Sequence, residues 1–517
     1  MSASPAPRSS RAPWATLAAA LALILALALL LVWRPARIGP PVPGAPPLLM
    51  YCAAGVRVPV EAVARRYQQE YGVEVQLQFG GANTLLTQIE VSKLGDLYLA
   101  GEAGYVESAR EKGLVREILP VAHMRPVIAV RRGNKKGVHG LPDLMREDVR
   151  VALVNPEAGA LGKVVRRVLE PYGVWGRLHE NVLERGVYKP NVNDVANDVK
   201  LGSVDAGVVW DTTVNLMPEL EAVRPPEFAE VREQVTLGVL AGAREPAAAL
   251  RFARYLTAPE RGAEVFRANG FPDTVPGDAW AETPQITVFS GAVNRPAIQQ
   301  TLEDFARREG VKINTVYAGC GVLVAQMKGL REGESRGAFP DAYFACDLSF
   351  MDQVRELFAD EVQLTETRMV ILTKKGNPKK IHSLADLALP DTKVGLANPE
   401  QSALGHLTRE LLKAEGLYDA VRRNASTEAP TADLLVNAMK AGSLDAAMVY
   451  EANAAHVREA LEVVPLTQDK ARAVQPYAIA RDGAHRQLMR RLLERLRTDE
   501  SRKQYEAAGF KMRQGAR

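Results

Sequence analysis

From Leu48 onward, short apolar runs alternate with longer stretches whose apolar residues recur every three or four positions. Ile286 to Phe289 (ITVF) reads as a buried strand. The next stretch sets Ile298, Leu302 and Phe305 on one helical face, and Val311 to Tyr317 (VKINTVY) reads as the following strand. Strand, helix, strand units of this kind build a parallel sheet with helices on both faces, so the expected class is α/β.

The pattern is written twice. KLGSVDAGVVW from Lys200 and KAGSLDAAMVY from Lys440 agree at six of eleven positions. The pairing extends outward: LLMYCAAGV from Leu48 matches ITVFSGAVN from Ile286, and GDLYLAG from Gly95 matches PDAYFAC from Pro340. RPVIAVRRGN from Arg125 matches RMVILTKKGN from Arg368, and NPEAGALG from Asn155 matches NPEQSALG from Asn398. The offsets stay between 238 and 245, far too long for a solenoid unit, so a whole domain has been duplicated. The expected units are a first domain at 48–276, a linker at 277–285 and a second domain at 286–512. Arg125 to Val130 and Arg368 to Thr373 are the expected hinge strands.

Residues 1–13 read as a cytoplasmic tail, and Trp14 to Trp33 form an uncharged run of twenty that would span about 30 Å as a helix. Tryptophans at its ends and Arg8, Arg11, Arg34 and Arg37 beside it suit a transmembrane anchor, with a cleaved signal segment as the alternative. In both cases the rest of the chain is exported, extracytoplasmic or periplasmic, behind a proline-rich linker at 34–47. Beyond those four arginines the chain carries 61 basic and 61 acidic residues, a balance that argues against a nucleic-acid partner. The three cysteines make neither a disulfide framework nor a metal pattern, and no cofactor is expected. Cys320 and Cys346 fall at the ends of neighbouring strands, which leaves a disulfide or two reduced buried thiols open.

In open α/β sheets ligands bind beyond the carboxyl ends of the strands, where helix N-termini present free N–H groups. Those places hold small, mostly uncharged residues: CAAGVRVP, GGANT, NPEAGALG and PNVND in copy one, SGAVNRP, AGCGV, NPEQSALG and PTAD in copy two. Small residues let an anion touch backbone N–H groups directly. With the closing G-S-x-D-A element, these motifs resemble the molybdate- and tungstate-binding periplasmic proteins of ABC importers, type II solute-binding proteins with two α/β lobes and a hinge. The resemblance covers both copies and implies a tetrahedral oxyanion ligand, with molybdate or tungstate before sulfate, and an ABC permease partner. By position it implies ligand contacts at Gly55, Ala82, Ala158, Val192 and Trp210 in copy one, and Ala54, Gly81, Asn83 and Thr84 beside them are further candidates. In copy two it implies Val293, Cys320, Ser402, Ala432 and Tyr450, and Ser290 beside them is a further candidate.

The chain departs from that family where two serine hydroxyls are usual: Gly55 and Ala82 stand there in copy one, Val293 and Cys320 in copy two. Asn83, Thr84, Ser290 and Asn294 are the nearby polar side chains that could replace them. A membrane-tethered sensor or scaffold in which one or both copies no longer serve transport is the alternative function. Catalysis is not expected, because no nucleophile elbow, Walker loop, dinucleotide fingerprint or histidine-centred triad appears.

Overall fold

The computed structural model describes residues 46–332 and 339–515. The expected anchor at 14–33, the tail before it and nearly all of the proline-rich linker lie outside the described residues. Among the described residues no helix is long and apolar enough to cross a membrane.

Copy one has two lobes. The first contains β1 (Leu48–Ala53), α1 (Arg57–Tyr71), β2 (Val75–Gly80), α2 (Ala82–Ser92), β3 (Leu97–Ala100) and β4 (Val115–Met124). The chain then passes to the second lobe through β5 (Pro126–Arg131), β6 (Val151–Val154), α3 (Ala160–Leu169), β7 (Val187–Lys189), α4 (Val192–Leu201), β8 (Ala206–Trp210) and β9 (Leu220–Val223). It returns as β10 (Glu233–Leu240) and α5 (Pro246–Thr257). The sheet orders are β2-β1-β3-β10-β4 and β7-β6-β8-β5-β9. These sheets are mixed where a parallel sheet was expected: β10 runs antiparallel to β3 and β4, and β5 antiparallel to β8 and β9. A chain that leaves a lobe along one strand and re-enters along another must reverse direction at the crossing.

Copy two repeats the plan with β11 (Gln285–Gly291), α6 (Arg295–Glu309), β12 (Lys312–Ala318), α7 (Cys320–Glu332), β13 (Ala342–Phe344) and β14 (Phe358–Lys374). Its second lobe holds β15 (Val394–Ala397), α8 (Ala403–Ala414), β16 (Ala425–Ala429), α9 (Ala432–Lys440), β17 (Ala446–Tyr450) and β18 (Leu461–Pro465), followed by β19 (Arg472–Ala480) and α10 (Arg486–Leu496). Here β14 runs through both lobes, pairing β19 as far as Arg368 and β17 from Met369. In copy one the same path breaks at Arg125. Met369 donates its N–H to Ala471 O at 2.9 Å, whereas its counterpart Pro126 has no N–H to give. The crossing point is therefore Arg125 or Arg368. The rest of each expected hinge strand lies inside the second lobe, paired along its length with β8 or β17.

The repeated G-S-x-D-A element is structural. Gly202 (φ 78°) and Gly442 (φ 77°) take the left-handed conformation after α4 and α9, and every residue of β8 and β17 is buried. Asp205 accepts from Arg150 N–H at 2.9 Å and Asp445 from Lys393 N–H at 3.1 Å, which ties each strand to the start of its neighbour.

The two copies are joined by a buried ion triad. Glu309, at the end of α6, is 1% exposed and receives Arg254 from α5 of copy one at 3.0 Å and Arg491 from α10 at 2.6 Å. The linker is pinned on both sides. Trp280 packs on Tyr71 and Tyr255 of copy one and donates Nε1–H to Tyr71 Oη at 2.9 Å. Asp278 accepts from the Gln487 and Leu488 N–H groups at 2.7 and 2.8 Å, in the first turn of α10.

Candidate functional site

In each copy the lobes meet over a small cavity. That of copy one measures about 30 Å³ to the centre of a water-sized sphere, room for roughly two water-sized positions. Its walls include Ala54, Gly55, Gly81, Ala82 and Gly101 from the first lobe and Gly159, Ala160, Asn191, Val192 and Trp210 from the second. No charged side chain lines it.

What the walls offer is backbone. Helices α2 and α3 start at the cavity behind Gly81 and Gly159, and no side chain caps either one. The first N–H groups of an α-helix have no intrahelical partner, so the two helices bring amide donors and their positive dipole ends from opposite lobes. The start of α4 is different: Asn191 Oδ1 accepts from Asp194 N–H at 3.1 Å.

Gly55 and Trp210 explain the missing hydroxyl. A Cβ on Gly55 would stand 3.1 Å from Val192 Cγ1 and 3.3 Å from Trp210 Cδ1, so the valine and the indole together crowd the space that a larger residue at 55 would need. Copy two makes the opposite choice, with Val293 facing the smaller ring of Tyr450.

Side-chain bonds cross the cleft of copy one, among them the ion pair of Arg167 on α3 with Glu233 on β10. Asn83 Nδ2 donates to Glu157 O at 2.7 Å, and Asn193 Nδ2 donates to Ala54 O at 2.7 Å. In copy two the crossing bond is backbone, Gly321 N–H to Gln401 O at 3.1 Å. Both clefts are thus in a closed state.

The cavity of copy two is smaller, about 20 Å³ by the same measure, and chemically different. Val293, Ser402, Ala432 and Tyr450 line it, together with Cys346, Asp433 and Asn453. Helices α8 and α9 again start without side-chain caps. Tyr450 is 2% exposed, its Oη has no partner, and burial holds its hydroxyl well above the usual phenol range, so it stays a neutral donor. Asp433 adds a carboxylate, held by Asn453 Nδ2 at 2.9 Å.

Of the sequence-derived candidates, Ala54, Gly55, Gly81, Ala82, Val192 and Trp210 meet around the first cavity, and Val293, Ser402, Ala432 and Tyr450 around the second. Others do not. Asn83 bridges the lobes instead of facing the cavity, and Thr84 is exposed one position further along α2. Ala158 stops one residue short of the wall, where Gly159 and Ala160 take its place. Ser290 is fully buried, its hydroxyl donating to Gly291 O at 3.3 Å, and Asn294 turns inward to Phe344 O and Ala345 O. Cys320 sits behind the wall, its sulfur accepting from Cys346 N–H at 3.0 Å. All three cysteines are free thiols and buried.

Sequence reasoning missed Gly101, Met124 and Gly159 in copy one and Cys346, Asp433 and Asn453 in copy two. The match of GDLYLAG with PDAYFAC already set Gly101 opposite Cys346, and that of NPEAGALG with NPEQSALG set Gly159 opposite Ser402. Among the described residues no group of three or more His, Cys, Asp or Glu could hold a metal ion.

Comparison with known proteins gives a family model, described as bacterial extracellular solute-binding protein, that matches residues 48–272 and again 286–511. A Haemophilus influenzae protein named "Putative binding protein" is 27% identical over 224 residues, covering 43% of this chain and 90% of its own length. The molybdate-binding protein ModA of Mycobacterium tuberculosis is 26% identical over 234 residues, covering 45% of this chain and 86% of its own length. Among solved structures, the periplasmic molybdate-binding protein of Azotobacter vinelandii aligns at 17% identity with a TM-score of 0.38, over 43% of this chain and 98% of its own. Each of these two curated relatives corresponds, nearly whole, to one half of this chain.

Proposed function

This chain belongs, in both of its halves, to the bacterial extracellular solute-binding protein family, and from that premise we propose that copy one captures a tetrahedral oxyanion, molybdate or tungstate, for delivery to an ABC importer. The observation that carries the proposal is the wall of the first cavity: uncapped helix starts from both lobes, no charged side chain, and space for only a very small guest. Amide donors aimed at an anion in a closed, dry site make short, strong hydrogen bonds. The small, uncharged wall suits a compact anion, and the molybdate-binding relatives support the choice of guest. A permease would read the closed form, which the bound anion favours. Residues 14–33 would hold the protein at the outer face of the membrane, as an anchor or, if cleaved, as its export signal.

The test is a thermal-shift and calorimetric series on the intact chain with molybdate, tungstate, sulfate and phosphate. A saturable response to molybdate or tungstate supports the proposal, and no response to any of the four removes it. The sensor or scaffold reading is favoured for copy two alone, because the Asp433 carboxylate stands in its wall and disfavours a dianion.

A further inference from the structure

Copy two differs from copy one by a coordinated set of three residues. Ala82 and Gly101 of the first cleft correspond to Cys320 and Cys346, and Ala53 corresponds to Gly291. The glycine is required: both sulfurs lie within 3.1 Å of the point where a Cβ on Gly291 would stand. Removing a methyl group at 291 thus makes room for a pair of adjacent thiols at the floor of the cavity, with Cys346 in its wall and Cys320 directly behind. Tyr450, whose hydroxyl is buried and without a partner, lines the same cavity, together with Ser402 and Ala432 at the starts of α8 and α9.

A cleft of this kind offers two soft sulfur atoms together with hydrogen-bond donors. A bare soft cation would meet the positive ends of the helices, and a dianion would meet Asp433. A small neutral oxyacid with a thiophilic centre meets neither penalty. We propose that copy two is a dithiol site for a trivalent metalloid oxyacid of the arsenite type, an inference that rests on copy two being a ligand cleft. Cys320 and Cys346 bond the metalloid, and Tyr450 donates to its remaining oxygen.

The step balances without an oxidant. Two thiols and As(OH)₃ give a bis-thiolate As–OH and two waters: two S–H and two As–O bonds break and two As–S bonds form. Each hydroxide leaves with a thiol proton, and arsenic stays trivalent. Thiolate sulfur is the nucleophile in each exchange. The cleft must open for the guest to enter, because Cys320 is fully buried and Cys346 nearly so in the closed state.

Sodium arsenite is the probe, added to the intact reduced chain under anaerobic conditions, with arsenic retained through gel filtration measured by elemental mass spectrometry. About one equivalent per chain is expected, as two thiols sharing one guest require. Cys346→Ser and Cys320→Ser should each lose it, while Cys52→Ser, in copy one, should keep it. Tyr450→Phe should retain the adduct but release it at least about tenfold faster, the loss of one donor to the oxygen. Folding of each variant is checked by its melting transition and by the response of copy one to molybdate. No retained arsenic in wild type, or retention unchanged in folded Cys346→Ser, overturns the proposal. Loss of the molybdate response in wild type would instead count against the oxyanion function of copy one.

Discussion

Gly81 and Ala158 face each other across the first cleft so closely that a methyl group on Gly81 would overlap the Ala158 carbonyl oxygen. The same relationship recurs in copy two, where a Cβ on Gly319 would stand 2.5 Å from Gln401 O. Gly81 has φ −70° and ψ 144°, which any residue adopts, so glycine is needed there for closure and not for its own backbone. Gly81→Ala should therefore hold copy one ajar. Oxyanion affinity should fall by at least about tenfold, or 1.4 kcal/mol, with the melting temperature of the unliganded chain little changed, as titration and calorimetry would show.

Asn193 makes its bond to Ala54 O only when the lobes are closed. Asn193→Ala should cost about 0.5–1.5 kcal/mol of closed-state stability, a few-fold loss of affinity. Stopped-flow binding should place that loss in dissociation. An unchanged dissociation rate would mean that this bond does not hold the cleft shut.

None of the residues lining the first cavity titrates. Binding to copy one should be flat over roughly pH 5 to 9, once the anion's own protonation is accounted for. A site built on lysine or histidine would lose affinity as the pH rises through its pKa. Titrations at several pH values would separate the two cases.

Glu309 is held below its ordinary value despite burial, by the charges and hydrogen bonds of Arg491 and Arg254. A carboxylate with a depressed folded pKa contributes stability above its unfolded value of 4.5, and this is lost as pH falls through the lower, folded one. Glu309→Gln leaves two buried guanidinium groups without their counter-charge and should destabilise the junction by about 3 kcal/mol at neutral pH. Scanning calorimetry should show the two copies unfolding in better separated transitions.

The duplication and the alternation of strands and helices were legible because they depend on periodicity and on letter-for-letter agreement, as at Lys200 and Lys440. Direction was less legible. Ser290 and Asn294 are polar and close to the cleft in sequence, yet their polar atoms bond inside the lobe. The shift from Ala158 to Gly159 is a single residue in the turn before α3, finer than a motif resolves. The compensation between Gly55 and Trp210 joins residues from different lobes, so only their meeting in space reveals it. The continuous β14 of copy two and the broken path of copy one differ at one aligned pair, Met369 and Pro126. That difference is visible in the sequence once the strand is known to cross between lobes.

The most direct test of the central claim, that neutral amide groups at closed helix starts hold a doubly charged guest, is calorimetric titration of molybdate into the intact chain and into Gly81→Ala. A saturable site in wild type that weakens at least about tenfold in the variant is the predicted result. Equal binding in both, or no binding in wild type, would contradict it.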